Sequence, residues 1–215
     1  MIAAIQNIMQ FVDDKDNFSI LVSVDEDDPL IHKQFGSMQS LVEFKSKFDN
    51  KVFLTFGCSS NKIHAINRDV KGFEVQWDIL INFSDDMEWN VQGFDNVIRS
   101  AFEEHGYNNF LHVHDQHAYN NEIAAMSIMG KEYYEKFGYI YNPIYKSFYC
   151  DNEAVDIAKM CNEYIDLGAS KQLFKHNHPM WSQGLEMDAL YRDNNKFWQQ
   201  DKTTYLKRKL SNFTN

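Results

Sequence analysis

Two adjacent carboxylates, Asp85 and Asp86, directly follow a run of apolar and β-branched residues in the stretch ILINFSDDMEW. Such a pair at the end of a strand can bind Mg²⁺ or Mn²⁺, because these ions prefer oxygen ligands and share their coordination with substrate phosphates. The simpler interpretation is that both carboxylates cap the turn after the strand, as most such pairs do. Spacing alone leaves both interpretations open.

Three more carboxylates occupy positions where chemistry is possible. Asp25 directly follows another apolar run, where it can accept hydrogen bonds from a ribose hydroxyl or a base N–H. Asp151 and Glu153 open a predicted helix, and the positive end of a helix dipole stabilises carboxylates. Ordinary capping would also account for these two residues. A catalytic base would require one of them to face a pocket.

Histidines are grouped at two places in the chain. His176 and His178, in FKHNHPMW, would lie on the same side if this segment is extended, and an imidazole can join carboxylates in binding a metal ion. The stretch HVHDQH, residues 112–117, alternates its histidines along a predicted strand. No HExxH or zinc-finger spacing supports zinc there. We interpret this second stretch as pocket wall or core, with metal binding as the minor alternative.

The elements that position these residues alternate between helix and strand. The first half predicts helices at 2–12 and 59–70, strands at 18–24, 51–57 and 74–83, and a loop or helix at 40–48. Ser59 or Ser60 can cap the second helix. The alternation favours an α/β fold with a mostly parallel, Rossmann-like sheet flanked by helices. Ligands bind outside the carboxyl ends of such strands, where Asp25 and Asp86 both lie.

The second half is less regular. It predicts strands at 110–114 and 123–130, helices at 93–106, 131–138 and 153–164, and a long polar terminal helix at 187–210. We find no internal repeat, low-complexity block or flexible linker. One domain with a C-terminal helical tail is the simplest organisation.

Composition narrows the range of partners and compartments. The 215 residues include 31 acidic and 21 basic side chains, and the formal net charge of −10 disfavours free nucleic acid as a partner. The 3 cysteines have no CxxC spacing, so a disulfide framework or structural zinc site is not indicated. No apolar run reaches membrane-spanning length, and the first residues lack a secretory signal pattern. We therefore expect a cytoplasmic protein without a membrane span.

In their order and spacing, these stretches resemble bacterial and phage glycosyltransferases of family 2, which have the glycosyltransferase-A fold. The matching stretches are ILVSVDEDDP, SSNKIHAINRD, DILINFSDDM, GFDNVIRSAF, SIMGKEYYEKFGYIYNPIYKSFYCDNEAVDIAK, FKHNHP and FWQQDKTTYLKRK. The resemblance implies a hexosyltransferase-like enzyme that uses Mn²⁺ or Mg²⁺. It would move a sugar from a nucleotide diphosphate sugar, with a UDP-sugar the expected donor, to an acceptor hydroxyl, with inversion at the anomeric carbon.

The resemblance also assigns a metal site. The stretch SDDM stands where the family carries its DxD motif, so Asp86, helped by Asp85, would hold the divalent ion against the diphosphate. The first position of the motif is Ser84, which cannot act as a carboxylate ligand. His176 or His178 would correspond to the late histidine that some members use on the metal or diphosphate.

Donor-binding and catalytic roles follow in the same way. Asp25 corresponds to the acid that binds the nucleoside, and Lys62 and Arg68 lie in the segment that approaches the base and phosphates. The stretch CDNEA occupies the place of the family's catalytic-base motif. Asp151 is the first choice as base and Glu153 the second.

The resemblance predicts a glycosyltransferase-A-like domain at residues 1–183 and a helical extension packed on it at 184–215. The family's usual first strand and PTRxR-like turn have no counterpart in the sequence, so we expect an N-terminally shortened domain whose open sheet edge favours self-association. The acceptor remains open between a glycan, a lipid carrier, a protein and modified DNA. One alternative is a catalytically degenerate module that binds nucleotide sugars or glycans. Another is a sugar nucleotidyltransferase, although the Gly-rich basic loop of that class is missing.

Overall fold

Helices and strands alternate along the residues that a computed structural model describes, which are 1–26, 38–115, 123–178, 192 and 194–214. The helices with described bounds are α1 (Ile2–Phe11), α2 (Met38–Ser46), α3 (Lys62–Lys71), α4 (Phe94–His105), α5 (Lys131–Phe137), α6 (Cys150–Met160) and α7 (Trp198–Leu210). A short 3₁₀ turn, Asn195–Phe197, leads into α7. The strands are β1 (Ile20–Asp25), β2 (Val52–Gly57), β3 (Ile79–Asn82), β4 (Met87–Trp89), β5 (Phe110–His112), β6 (Ser127–Gly130), β7 (Tyr164–Asp166) and β8 (Phe174–His176).

These strands form three sheets of mixed direction. Strands β1 and β2 are parallel, whereas β4 and β8 are antiparallel. The largest sheet has the order β3-β6-β5-β7, in which β6 is antiparallel to both of its neighbours and β5 is parallel to β7. The predicted α/β class is confirmed, but the prediction of a mostly parallel sheet is wrong for the described residues. Alternation of helix and strand favours parallel βαβ units. Strand β6 nevertheless runs antiparallel to its neighbours, and the local sequence pattern does not specify the direction of a strand.

The start of α3 corrects one prediction about its cap. Asn61, rather than Ser59 or Ser60, caps the helix, because its side chain accepts a hydrogen bond of 3.0 Å from the His64 amide. The Ser59 hydroxyl instead donates to the carboxylate of Asp25, at the end of β1. The loop between β2 and α3 is thereby tied to the carboxyl end of β1.

A stack of aromatic rings supports the short β4–β8 pair. Trp89, 2% exposed, lies 3.7 Å from Phe94 between ring centroids, with the planes 7° apart, and it also contacts Phe174 edge-on. Burial of side chains of this size contributes about 1.5 to 3 kcal/mol each. The stack joins α4 to both strands, so the turn before β4 and the segment after β8 are held against a rigid core.

The C-terminal helix α7 docks on the rest of the chain through buried carboxylates. Asp201, fully buried, accepts hydrogen bonds of 2.9 Å from the backbone amides of Ser147 and Phe148. Arg208 in turn forms an ion pair of 2.7 Å with the buried Glu153 of α6. Residues 187–191 and 193 of the predicted terminal helix lie outside the described residues, and the rest of it is helical from Asn195.

Candidate functional site

The turn between β3 and β4 brings a predicted metal ligand, Asp86, next to a predicted histidine ligand, His176. The turn closes with a hydrogen bond of 3.1 Å from the Met87 amide to the Ser84 carbonyl. Met87 then pairs with His176 in the antiparallel β4–β8 register, and the Asn177 amide donates to the Asp86 carbonyl at 2.8 Å. As a result, Oδ2 of Asp86 lies 3.3 Å from Nε2 of His176.

This pair of atoms fits one edge of a magnesium or manganese site. With ligands at 2.0 to 2.1 Å in an octahedron, neighbouring ligand atoms lie about 3.0 Å apart, and the observed separation is 3.3 Å. The side chains of Asp86 and His176 are 21% and 11% exposed, so one side of the pair is open to solvent. The ring of His178 lies 5.2 Å from that of His176. Ions of this class usually take only one or two protein ligands and complete their shell with water and phosphate oxygens.

A second carboxylate, Asp115, lies behind the histidine. Its Oδ2 is 3.8 Å from Nδ1 of His176, and its side chain is almost fully buried. A carboxylate in this position orients a metal-binding imidazole and increases its basicity. The sequence interpretation placed Asp115 with residues 112–117 as pocket wall or core. Its position directly after an apolar strand, which it shares with Asp25 and Asp86, is the signal that could have identified it.

The two carboxylates control the protonation of His176. Burial opposes the charged imidazolium, but attraction to Asp115 and Asp86 outweighs it and raises the pKa of His176 to about 9. At neutral pH the ring is therefore protonated and lies between two negative charges. A metal ion at Nε2 would displace this proton, so we expect metal affinity to increase with pH.

Asp151, in the first turn of α6, interacts electrostatically with two residues of the predicted site. Burial raises the pKa of its carboxyl, while the nearby charges of Lys62 and His176 act in the opposite direction without cancelling the shift. Tyr149, the residue before α6, has a φ of 63°, an uncommon conformation for a bulky residue. Asp151, at the start of α6, therefore lies within electrostatic range of Lys62, at the start of α3, and of His176.

Glu153, the second choice for a catalytic base, belongs to a different environment. It is 1% exposed and accepts hydrogen bonds of 2.6 Å from the Tyr145 hydroxyl and 2.8 Å from the Asn142 amide. Arg208 donates two more hydrogen bonds to the same carboxylate, at 2.7 and 3.0 Å. Through these contacts, Glu153 anchors α7 to α6. Of the two predicted bases, Asp151 is the one whose pKa is lowered by the charges of Lys62 and His176, although burial raises it overall.

The predicted donor-binding residues at the end of β1 are linked through a loop. Arg68 makes a bidentate pair with the buried Asp69, at 2.6 and 2.8 Å, and donates to the Cys58 carbonyl at 2.9 Å. Its guanidinium also interacts electrostatically with Asp25. Arg68 therefore positions the loop that carries Ser59, the hydrogen-bond partner of Asp25. Asp25 itself is exposed at the carboxyl end of β1.

Asp85, the predicted helper in metal binding, points away from Asp86 and His176. Its side chain is 72% exposed and lies 3.2 Å from the amino nitrogen of Met1. Ion pairs this exposed contribute about 0 to 1 kcal/mol. The structure thus separates the two adjacent carboxylates and places Asp86 beside the histidine.

Within residues 112–117, the two histidines that the structure describes are buried. His112 and His114 are 1% and 6% exposed, and they pack close to Asp166 at the end of β7. This agrees with the interpretation of the stretch as core or pocket wall. His117 lies outside the described residues.

Among the described residues, no helix is both long enough and apolar enough to cross a membrane. In the part of the chain that the structure describes, Cys58, Cys150 and Cys161 form no disulfide with one another. The chain matches no protein-family model, no curated protein and no solved structure.

Proposed function

We propose that this chain is a metal-dependent glycosyltransferase that moves a sugar from a nucleotide diphosphate sugar to an acceptor hydroxyl with inversion. The observation that carries the proposal is the arrangement of Asp86 and His176 at 3.3 Å, with Asp115 behind the imidazole. Asp151 interacts electrostatically with the same histidine. A carboxylate and a histidine of this spacing suit Mn²⁺ or Mg²⁺ bound together with a diphosphate. The order of the family-2-like stretches supports the same function, with a UDP-sugar as the expected donor.

Each residue has a distinct role in this proposal. Asp86 and His176 hold the divalent ion, which when bound offsets the charge on the leaving diphosphate. Lys62 supplies a second positive charge for a phosphate oxygen. Asp151 accepts the proton of the acceptor hydroxyl, a role that its raised pKa favours. Asp25 accepts a hydrogen bond from the nucleoside at the carboxyl end of β1.

The described strands form separate sheets, and this separation favours one alternative function. In that alternative, the chain is a module that binds nucleotide sugars or glycans without transferring them. Within the described residues, β1 and β2 form a sheet separate from the one that contains β3. Asp25 follows the first of these sheets, whereas Asp86 lies in the turn after β3. A donor would have to bridge the two, and incomplete alignment would permit binding while slowing chemistry.

Calorimetric titration of UDP-glucose and GDP-mannose, with and without Mn²⁺, tests the proposal. We expect Mn²⁺-dependent binding that Asp86→Asn abolishes and that Glu88→Gln, an exposed change in the same strand pair, retains. Binding by Asp86→Asn equal to that of the unaltered protein would contradict the metal assignment.

A turnover assay then separates the enzyme from the binding module. Release of the nucleoside diphosphate is measured with a panel of acceptors for the unaltered protein and for Asp151→Asn. We expect Asp151→Asn to bind the donor normally and to lower turnover by about two to four orders of magnitude. Donor binding with no release of the nucleoside diphosphate by the unaltered protein would instead support the binding module.

A further inference from the structure

A second group of potential metal ligands lies at the ends of the parallel strands β5 and β7. His112 and Asp166 are register partners in these strands, and His114 follows two residues after His112. The two imidazoles stack with their centroids 4.2 Å apart, and Nε2 of His114 lies 2.7 Å from Oδ1 of Asp166. One ligand atom from each of the three residues lies within 4.8 Å of the other two.

One nitrogen of His112 is buried without a hydrogen bond of normal geometry. The residue is 1% exposed, and its Nδ1 lies 2.5 Å from the Tyr164 hydroxyl. Its Nε2 has no hydrogen bond of normal geometry among the described residues, although the Ile123 backbone also interacts with the ring. Polar atoms buried in this way are uncommon, because the lost hydration is not replaced. The orphaned nitrogen belongs to the same imidazole that stacks on His114, next to Asp166.

The surrounding residues resemble the outer shell of a metal site. Tyr164 can hold His112 in the tautomer whose Nδ1–H donates to the phenol oxygen, which leaves the lone pair on Nε2. The Gly168 amide donates to Oδ1 of Asp166 at 2.7 Å and fixes that carboxylate. Partial burial opposes ionisation of Asp166, but the hydrogen bonds from Gly168 and His114 keep its pKa below the usual value. Such outer contacts orient ligands before the ion arrives.

We propose that His112, His114 and Asp166 form a second metal site. It is selective for a divalent transition-metal ion, such as Zn²⁺, that is intermediate between hard and soft. Two imidazoles and one carboxylate suit this class better than Mg²⁺ or Ca²⁺. In a tetrahedral zinc site the ligand atoms lie about 3.4 Å apart. The ion would replace the proton that His114 and Asp166 share, and small side-chain rotations would equalise the distances.

Access and an open coordination position come from the surface side. The side chain of Asp166 is 42% exposed and lines a groove of about 490 Å³ beside α4. Water or a ligand in this groove could occupy the fourth position of a zinc ion, as in sites with three protein ligands. This site is independent of Asp86 and His176 and does not rest on the proposed glycosyltransferase function.

Titration of the chelator-treated full chain with Co²⁺, which reports its ligands through visible absorption, tests the site. We expect one Co²⁺ per chain to produce a visible absorption band that Zn²⁺ removes by displacement, apart from any Co²⁺ at the Asp86–His176 site. His114→Gln and Asp166→Asn should each weaken binding about tenfold or more, since even outer-shell changes cost that much. His105→Gln, an exposed histidine on the same groove, is the matched control, and His176→Gln reports the other site; both should retain the band.

Several outcomes would overturn this proposal. These are the absence of a band in the unaltered protein, its persistence in both His114→Gln and Asp166→Asn, or its loss in His176→Gln. If the ligand variants fail to fold, imidazole ¹⁵N spectra of the unaltered protein replace them. Addition of Zn²⁺ should shift the Nε2 resonances of His112 and His114, and unchanged resonances at saturating Zn²⁺ would contradict the assignment.

Discussion

At the scale of single residues, the hydrogen-bond partners of a buried carboxylate distinguish anchors from candidate ligands. Asp201 is surrounded by backbone amides, and Glu153 by Arg208 and neutral donors, so both are occupied in holding elements together. Asp86 and Asp115 instead flank an imidazole from opposite nitrogens. An ion can replace a proton on that imidazole, whereas it cannot replace a backbone amide.

Replacement of Asp201 should destabilise the chain strongly. Asp201→Ala leaves the buried amides of Ser147 and Phe148 without an acceptor, each at a cost of about 1 to 3 kcal/mol. We expect the free energy of unfolding in urea to fall by about 3 kcal/mol, and by less for Asp201→Asn, which keeps an oxygen acceptor. Gln200→Ala, an exposed change in the same helix, should stay within about 0.5 kcal/mol. Equal effects of all three would show that these hydrogen bonds do not matter.

His112 should make the stability of the metal-free protein depend on pH. Burial and the neighbouring His114 lower its pKa from 6.5 to about 4. Between pH 6.5 and about 4, the unfolded chain takes up a proton on His112 that the folded chain does not. The free energy of unfolding therefore has its full value, as far as His112 affects it, above pH 6.5, and it decreases as the pH falls to about 4. Urea unfolding with a chelator at several pH values measures the slope. His112→Gln should reduce it, and an unchanged slope would contradict the assignment.

At the scale of elements, the sequence predicted the helices with a clear apolar face and missed three of the short strands. Helices with a clear apolar face, such as α1 and α4, were predicted within two residues of their bounds. Strands β4, β7 and β8 are three residues each, too short for alternation to be visible. The β4–β8 pair nevertheless brings Asp86 to His176, so the geometry of the site depends on elements that local pattern cannot reveal. The resemblance named both residues but could not specify their contact.

One close approach between elements gives a sharp test of packing. A Cβ on Gly130, at the end of β6, would lie 2.0 Å from the Tyr107 carbonyl oxygen. Gly130→Ala should therefore force a backbone shift and destabilise the chain by about 1 to 3 kcal/mol or more. Gly72→Ala is the matched control, because its nearest neighbour would be 3.6 Å away. Similar melting temperatures for the two variants would contradict the predicted clash.

At the scale of the whole molecule, the net charge of −10 opposes the binding of an anionic donor. Positive charge near the candidate site comes from Lys62 and the protonated His176, and a divalent ion would add to it. The sequence predicted this general repulsion. It could not predict that His176 would be held between two carboxylates, because that depends on three segments distant along the chain.

Salt should weaken this repulsion in a measurable way. The screening length falls from about 30 Å at 0.01 M salt to about 8 Å at 0.15 M. In the presence of a chelator, donor binding by calorimetry should therefore strengthen as salt increases over this range. With Mn²⁺ the trend should be smaller or reversed, because the ion and the diphosphate then attract each other directly. If the donor bound more weakly at the higher salt in the presence of the chelator, local positive charge would dominate over the net negative charge of the chain.

His114 and Asp115 are consecutive residues whose side chains reach different partners, Asp166 and His176 respectively. Removal of one residue between Leu111 and His114 would therefore move Asp115 into the position beside Asp166, where it would replace the imidazole. Addition of one residue would instead move His114 into the position that faces His176. Either change would disrupt both clusters, so the two clusters together constrain the length of this segment.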